Sequence, residues 1–140
     1  LEIKFIQNEI EMKLSENIIN WAGRIGIFAK STPLKQLEKS QEELTEFRDE
    51  VTRLVLLREM GYSSKVTEEK AKMELGDLIV TLRIVAEMME TNLEECEGMA
   101  FEKIDGRSGK MVRGVFVKDA DLETDSLDEN GAVITKGVLK

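Results

Sequence analysis

The sequence predicts an all-α fold: a four-helix-bundle-like domain with a short extended or β C-terminal arm. Three observations predict it. The apolar residues are mostly Leu, Ile, Val and Met, with 5% aromatics and one proline in 140 residues. Beside many Glu and Lys, that mix favours helices. Apolar residues recur at threes and fours over long stretches, the period of one helix face. Start and stop signals divide those stretches into four pieces of helical length. The length suits one domain with its own hydrophobic core.

The first helix is expected over residues 3–28. Ile6, Ile10, Leu14, Ile18, Trp21, Ala22 and Ile25 form one stripe that a partner should bury. Gly23 and Gly26 weaken its end, so Ile27 and Phe28 are placed where the chain starts to leave the helix. Ser31-Thr32-Pro33 is a start signal: a hydroxyl caps, and proline suits the first turn, where its missing N–H costs nothing. The second helix carries Leu34, Leu37, Leu44, Phe47, Val51 and Leu54 and should end before Gly61-Tyr62-Ser63-Ser64.

Thr67 is expected to cap the third helix, with Glu68 and Glu69 suiting its dipole. Met73, Leu75, Leu78, Ile79, Leu82, Val85, Ala86 and Met89 surround much of its circumference, which predicts burial on more than one side. Thr91-Asn92-Leu93-Glu94 reads as a capping box that opens a fourth helix, running to about Asp105 with Gly106 as its stop. Residues 112–117 are β-branched and aromatic and predict a short strand or extended arm. The acidic stretch beyond them reads as a solvated loop, and Asn130-Gly131 as a turn. The organisation expected is a domain over residues 1–118 and an acidic tail over residues 119–140.

Charge and composition exclude several function classes. Of the net charge of −8, the six acids between Asp119 and Asn130 account for most, and no basic stripe offsets them. Such a chain repels phosphate backbones, so DNA and RNA are not expected partners. A single phosphate ligand stays compatible, because a bound metal reverses the local field. With no histidine, acid–base chemistry must come from carboxylates, Lys, Tyr, Cys or water activated by metal. Cys96 is the only cysteine, which points to a reducing compartment and a cytoplasmic location. Cys96, near a capped helix start, is reactive in principle but reads first as a buried small hydrophobe, and Met88, Met89 and Met99 read as filler of core or interface. No apolar run long enough for a bilayer and no signal peptide is evident. Because the chain opens on Leu1, that residue is not expected to be the native start.

Two carboxylate pairs carry the chemistry. Glu43 and Glu46 are three apart on the second helix, and Glu74 and Asp77 three apart on the third, so each pair shares a helix face. Either pair alone is most simply a solvated face in a chain that is 34% charged. Both together are harder to dismiss. Each borders an apolar stripe, like charges at this spacing repel, and Gly76 stands at a helix interior where it costs about 1 kcal/mol relative to alanine. Close helix approach or ligand access would account for that glycine. An antiparallel hairpin that gathers four carboxylates makes a site for a hard cation, Mg²⁺ or alternatively Mn²⁺. Residues 46–60 span about 21 Å of helix and residues 67–74 only about 10 Å. The second helix is therefore expected to break before Met60, or the Gly61 loop to run back along the bundle.

Glu42-Glu43-Leu44-Thr45-Glu46, followed after 27 residues by Glu74-Leu75-Gly76-Asp77, resembles the EExxE…ExxD motif of the MazG-like nucleotide pyrophosphohydrolases, of the all-α NTP pyrophosphatase superfamily. Trp21-Ala22 through Gly26-Ile27-Phe28, and Thr32-Pro33-Leu34-Lys35-Gln36-Leu37, resemble the segment that precedes that motif. The runs from Lys103 to Met111 and from Gly114 to Lys118 resemble the region that closes the domain. The resemblance covers roughly residues 18–118. It implies the MazG fold and cleavage of an NTP or dNTP to the monophosphate and pyrophosphate. Glu43, Glu46, Glu74 and Asp77 become metal ligands, and Glu42 an outer acid or water-orienting base. The resemblance also implies a homodimer or homotetramer. Lys103, Arg107 and Lys110 are the candidate phosphate contacts; Gly106 stands where many members carry Asn. Phe28 is the candidate pocket wall, while Trp21 falls on the apolar stripe and reads first as core. The alternatives are a related phosphoribosyl-ATP pyrophosphatase, a dUTP or dCTP pyrophosphatase, and a non-catalytic helical scaffold.

Overall fold

Three of the helix breaks, at Gly26, Gly61 and Glu90, fall where the backbone turns left-handed. The computed structural model describes residues 1–127 and 133–135, with side chains as far as Leu122. Helix α1 spans Glu2–Arg24 and stops because Gly26 adopts φ 89°, a conformation glycine takes at little cost. One short turn, α2 (Ile27–Lys30), follows. Helix α3 spans Pro33–Glu59, with Pro33 in its first turn and the Thr32 hydroxyl accepting the Lys35 N–H at 3.2 Å. Helix α4 spans Lys65–Met88 and α5 Leu93–Asp105. The chain is thus mainly helical, and no helix among the described residues is long and apolar enough to cross a membrane.

The α3–α4 hairpin resolves the expected mismatch in height without a kink. Helix α3 is unbroken to Glu59. Gly61, at φ 75°, reverses the chain at once: the Gly61 N–H donates to the Arg58 carbonyl and the Tyr62 N–H to the Leu57 carbonyl. Helix α4 then begins at Lys65, two residues before the expected cap at Thr67, after Ser64. The two changes together return the chain along α3, so that Glu68 pairs with Arg58.

Two compact units divide the chain, Leu1–Cys96 and Glu97–Lys140. In the first, α3 packs along α4 and α1 lies on α4. The buried apolar residues are small or β-branched: Ala22, Ala71, Ile84, Val85 and Ala86. The expected burial of the α1 stripe is corrected here. Ala22 is fully buried, but Ile6, Ile10, Leu14 and Ile25 are exposed, as is Trp21 at 43%. Helix α1 meets α4 near Ser15 and α2 near its C-terminal end, while Ile6, Ile10 and Leu14 stay open within the unit. The expected burial of α4 on more than one side is corrected too: Met73, Leu75 and Ile79 are exposed, as is Met89 just past its end, and its burial lies at Ala71, Thr81 and Ile84 to Ala86. Cys96 and Met99 are exposed, not core. The start of α5 is capped by Asn92, whose side-chain oxygen accepts the Glu95 N–H at 2.8 Å; the capping box is shifted one residue from Thr91 and Glu94.

In the second unit the expected strand is a hairpin. Strands β1 (Gly109–Val112) and β2 (Val115–Lys118) pair antiparallel around Arg113-Gly114, both with positive φ, the signature of a two-residue turn. A Cβ on Gly109 would lie 2.2 Å from the Val117 carbonyl oxygen and 2.6 Å from the Phe116 ring, so only glycine fits there. The acidic stretch is not a loop at its start. It forms helix α6 (Asp119–Thr124), with Asp119 and Asp121 in the first turn where the helix dipole favours acids. Strand β3 (Asp125–Leu127) follows and pairs with β4 (Val133–Thr135). Asp128, Glu129 and the Asn130-Gly131 turn lie outside the described residues.

Candidate metal centre

Glu43 and Glu46 stand on one face of α3, and Glu74 on the facing side of α4. One carboxylate oxygen from each lies within 4.8 Å of the others. Glu43 is buried, Glu74 half-buried and Glu46 exposed, so the group opens from the helix interface toward solvent. Asp77 is exposed and stands outside this group of three, but it sits beside Glu74 and adds to its negative surroundings. Of the four expected ligands, three therefore converge and the fourth is their neighbour.

Charge crowding acts on Glu74. Its carboxyl is pushed above the ordinary range, first by partial desolvation, then by the charges of Glu46 and Asp77 and by hydrogen bonding with Glu46, with a smaller part from Glu43. A cation among these oxygens would relieve that repulsion.

Lys39 supplies a local counter-charge that the sequence reading passed over. Its ammonium donates to Glu43 at 2.8 Å and to Glu42 at 3.1 Å, and those bonds hold it above the ordinary lysine range. The signal was present: Lys39 is three and four residues before the two acids, the spacing of helix ion pairs. Glu42, the expected outer acid, is 65% exposed at the rim and held by Lys39.

Glu50 was also missed. Four residues after Glu46, it continues the same face of α3; its side chain is only 12% exposed. One oxygen pairs with Arg53, and the other is buried without a hydrogen-bond partner. A cavity of about 740 Å³ runs from Glu50 and Glu74 along Met73, Lys70, Glu69 and Val66 to Lys65. Its acids Glu50 and Glu69 are neutralised by Arg53 and Lys72, whereas Lys65 and Lys70 form no ion pair among the described residues.

The other expected contacts are placed as follows. Phe28 is half-buried on α2, its ring 3.9 Å from the position a Cβ on Gly23 would take. Lys103 is exposed on α5, Arg107 follows that helix, and Lys110 is exposed on β1; all three belong to the second unit. A Cβ on Gly76 would meet nothing within 4 Å, so close approach inside the chain is not why glycine stands there. No family model matches the sequence, and no curated protein or solved structure matches the chain.

Proposed function

We propose that the chain is a Mg²⁺-dependent, MazG-like pyrophosphohydrolase that cleaves a nucleoside or deoxynucleoside triphosphate to the monophosphate and pyrophosphate. The observation that carries this reading is the meeting of Glu43, Glu46 and Glu74 from two helices within 4.8 Å. Their donor set is all oxygen and anionic, which suits Mg²⁺ or Mn²⁺. Glu43, Glu46 and Glu74 would hold the ion, with Asp77 completing the set. Bound there, Mg²⁺ supplies charge against phosphate oxygens and makes water acidic enough to act as a nucleophile near neutral pH.

The chain's own residues provide the rest. Glu42, exposed at the rim, can take the proton released when water attacks the α-phosphorus. Lys65 and Lys70, unpaired in the cavity that reaches Glu74, offer positive charge to the departing pyrophosphate. Lys103, Arg107 and Lys110 remain proposed phosphate contacts, and Phe28 a proposed wall for the base. The open apolar stripe of α1 supports a homodimer or homotetramer, since large exposed apolar patches mark interfaces. No nucleic acid or membrane partner is proposed, and the proposed location is cytoplasmic.

A pyrophosphate-release assay with Mg²⁺ across the NTPs and dNTPs tests the reading. Turnover is expected on at least one substrate, and Glu46→Ala or Asp77→Ala should abolish it. The same screen separates the related phosphoribosyl-ATP, dUTP and dCTP activities. A non-catalytic scaffold would give neither turnover nor a metal-dependent shift in melting temperature.

A further inference from the structure

Apolar packing alone leaves the meeting of the three glutamates under-determined. Rows of Leu, Ile and Val repeat every three or four residues on a helix, so sliding α3 along α4 by one turn sets apolar against apolar again. That slip is about 5.4 Å, more than the 4.8 Å within which the three oxygens gather. The short Gly61 loop limits such a slip, and a specific contact inside the helix interface can fix the register that remains.

We propose that the buried hydroxyl pair Ser40–Thr81 sets the register of α3 against α4 and so positions the carboxylate cluster. This rests on the metal-binding reading above. Ser40 and Thr81 are 5% and 7% exposed, and their hydroxyl oxygens are 2.9 Å apart. Thr81 is also fixed to its own helix, and Ser40, whose one proton goes to Thr81, lies beside a carbonyl of its own helix. The Thr81 hydroxyl donates to the Leu78 carbonyl at 2.7 Å, and the Ser40 oxygen lies 3.0 Å from the Gln36 carbonyl. The contact thus joins two short side chains, one of them held by its own helix. Short side chains tolerate no slip, unlike Arg58–Glu68, the exposed pair at the loop end of the hairpin, whose long chains follow a sliding partner. Ser40 precedes Glu43 by three residues and Thr81 follows Asp77 by four, one turn in each case. Among the described residues, this is the buried side-chain hydrogen bond that links α3 to α4. Polar pairs inside apolar helix contacts are well suited to fixing register.

Both residues are positioning residues, and their effect is separable from stability. Ser40→Ala/Thr81→Val removes both hydroxyls together and leaves neither unpaired, so the metal-free fold should melt as wild type does. Calorimetric titration of the full chain with Mn²⁺ should then show binding weaker by about tenfold. The electron paramagnetic resonance lines of bound Mn²⁺ should broaden as the ligands lose a single geometry. Thr81→Ser keeps a hydroxyl and should retain wild-type affinity. If the double variant melts too low to titrate, Thr81→Val alone carries the same reading. Unchanged Mn²⁺ affinity in the hydroxyl-free variants would overturn the proposal while leaving the metal centre intact. Absence of Mn²⁺ binding in the wild type would overturn the metal reading itself, and this inference with it.

Discussion

Helices α1 and α3 both carry a long apolar stripe; α3 packs along α4, yet Leu34, Leu37 and Leu44 of its stripe stay exposed and its buried residues are Ser40 and Glu43. Helix α3 lies against α4 with a buried hydroxyl pair, a buried glutamate and a loop-end ion pair between them or at their contact. Helix α1 touches α4 near Ser15, and its large apolar residues Ile6, Ile10 and Leu14 are exposed. Hydrophobic periodicity says that a helix wants cover. It does not say what covers it, or at what height. The polar residues inside the α3–α4 contact carry that second kind of information, and the candidate chemistry sits where they are.

The largest expected effect falls on the metal cluster. Glu46→Gln keeps the shape of the side chain and removes its charge. If the cluster binds Mg²⁺, turnover should drop by more than about a hundredfold, beyond what loss of a metal's outer partners does, and the Mg²⁺-dependent rise in melting temperature should disappear. A substitution on the α1 stripe, such as Ile10→Ser, should leave the metal-dependent shift as large as in wild type. Equal loss from both substitutions would erase the distinction between the two helices.

Stability should separate them next. Ser40→Ala removes the cross-helix hydrogen bond while the Thr81 hydroxyl keeps its bond to the Leu78 carbonyl, so the cost should be about 0.5–1.5 kcal/mol. Ile10→Ser acts on an exposed residue and should stay within about 0.5 kcal/mol in dilute protein. Denaturant melts at low and high protein concentration check both. If α1 is covered by a second copy, wild-type stability rises with concentration and the Ile10→Ser chain loses that rise. Sedimentation should show the same variant at lower mass.

A smaller effect is expected at Gly76. It lies inside α4 with open space around it, so Gly76→Ala should stabilise the fold by roughly 1 kcal/mol through helix propensity alone. If turnover falls in the same variant, the glycine keeps room for a ligand beside Glu74; if turnover holds, its place has no functional cause within the chain.

Much of the architecture was legible because it is local. Thr32-Pro33 starts α3, Gly61 ends the hairpin's first arm, and Gly106 follows α5, each through backbone chemistry that neighbouring residues dictate. Glu43, Glu46 and Glu74 were legible as a group because spacing on two helices and a short loop limit where the faces can point. The failures share a cause. Burial of the α1 stripe depends on what stands opposite, which periodicity does not encode, and Asp77's place outside the close group depends on the facing of α4 by a fraction of a turn. The Arg113-Gly114 turn was missed because arginine rarely takes positive φ. Lys39 and Glu50 differ: both stand at helical spacing from the acidic pair, but helical spacing alone does not separate a site residue from an ordinary surface charge.

The finest test of the comparison is the pH dependence of stability in metal-free protein. Glu74 titrates above the ordinary carboxylate range, so between its unfolded and folded values the native state binds more protons than the unfolded one. Stability from this group is full below the unfolded value and lost as pH rises through the folded one. Glu68 and Glu94 run the other way. Arg58 and Arg83 hold them below the ordinary range, so their contribution is present above the unfolded value and lost as pH falls through the folded one. The windows do not overlap, which lets Glu74 be read alone on the rising side. Denaturant melts in EDTA from about pH 4 upward should show wild type losing stability relative to Glu74→Gln. Saturating Mg²⁺ should reverse the slope, because metal and proton compete for the same oxygens and the metal gains as pH rises. Parallel curves for wild type and Glu74→Gln in EDTA would mean that the three carboxylates do not feel one another, and the hairpin would then hold acids no more special than those on the open face of α1.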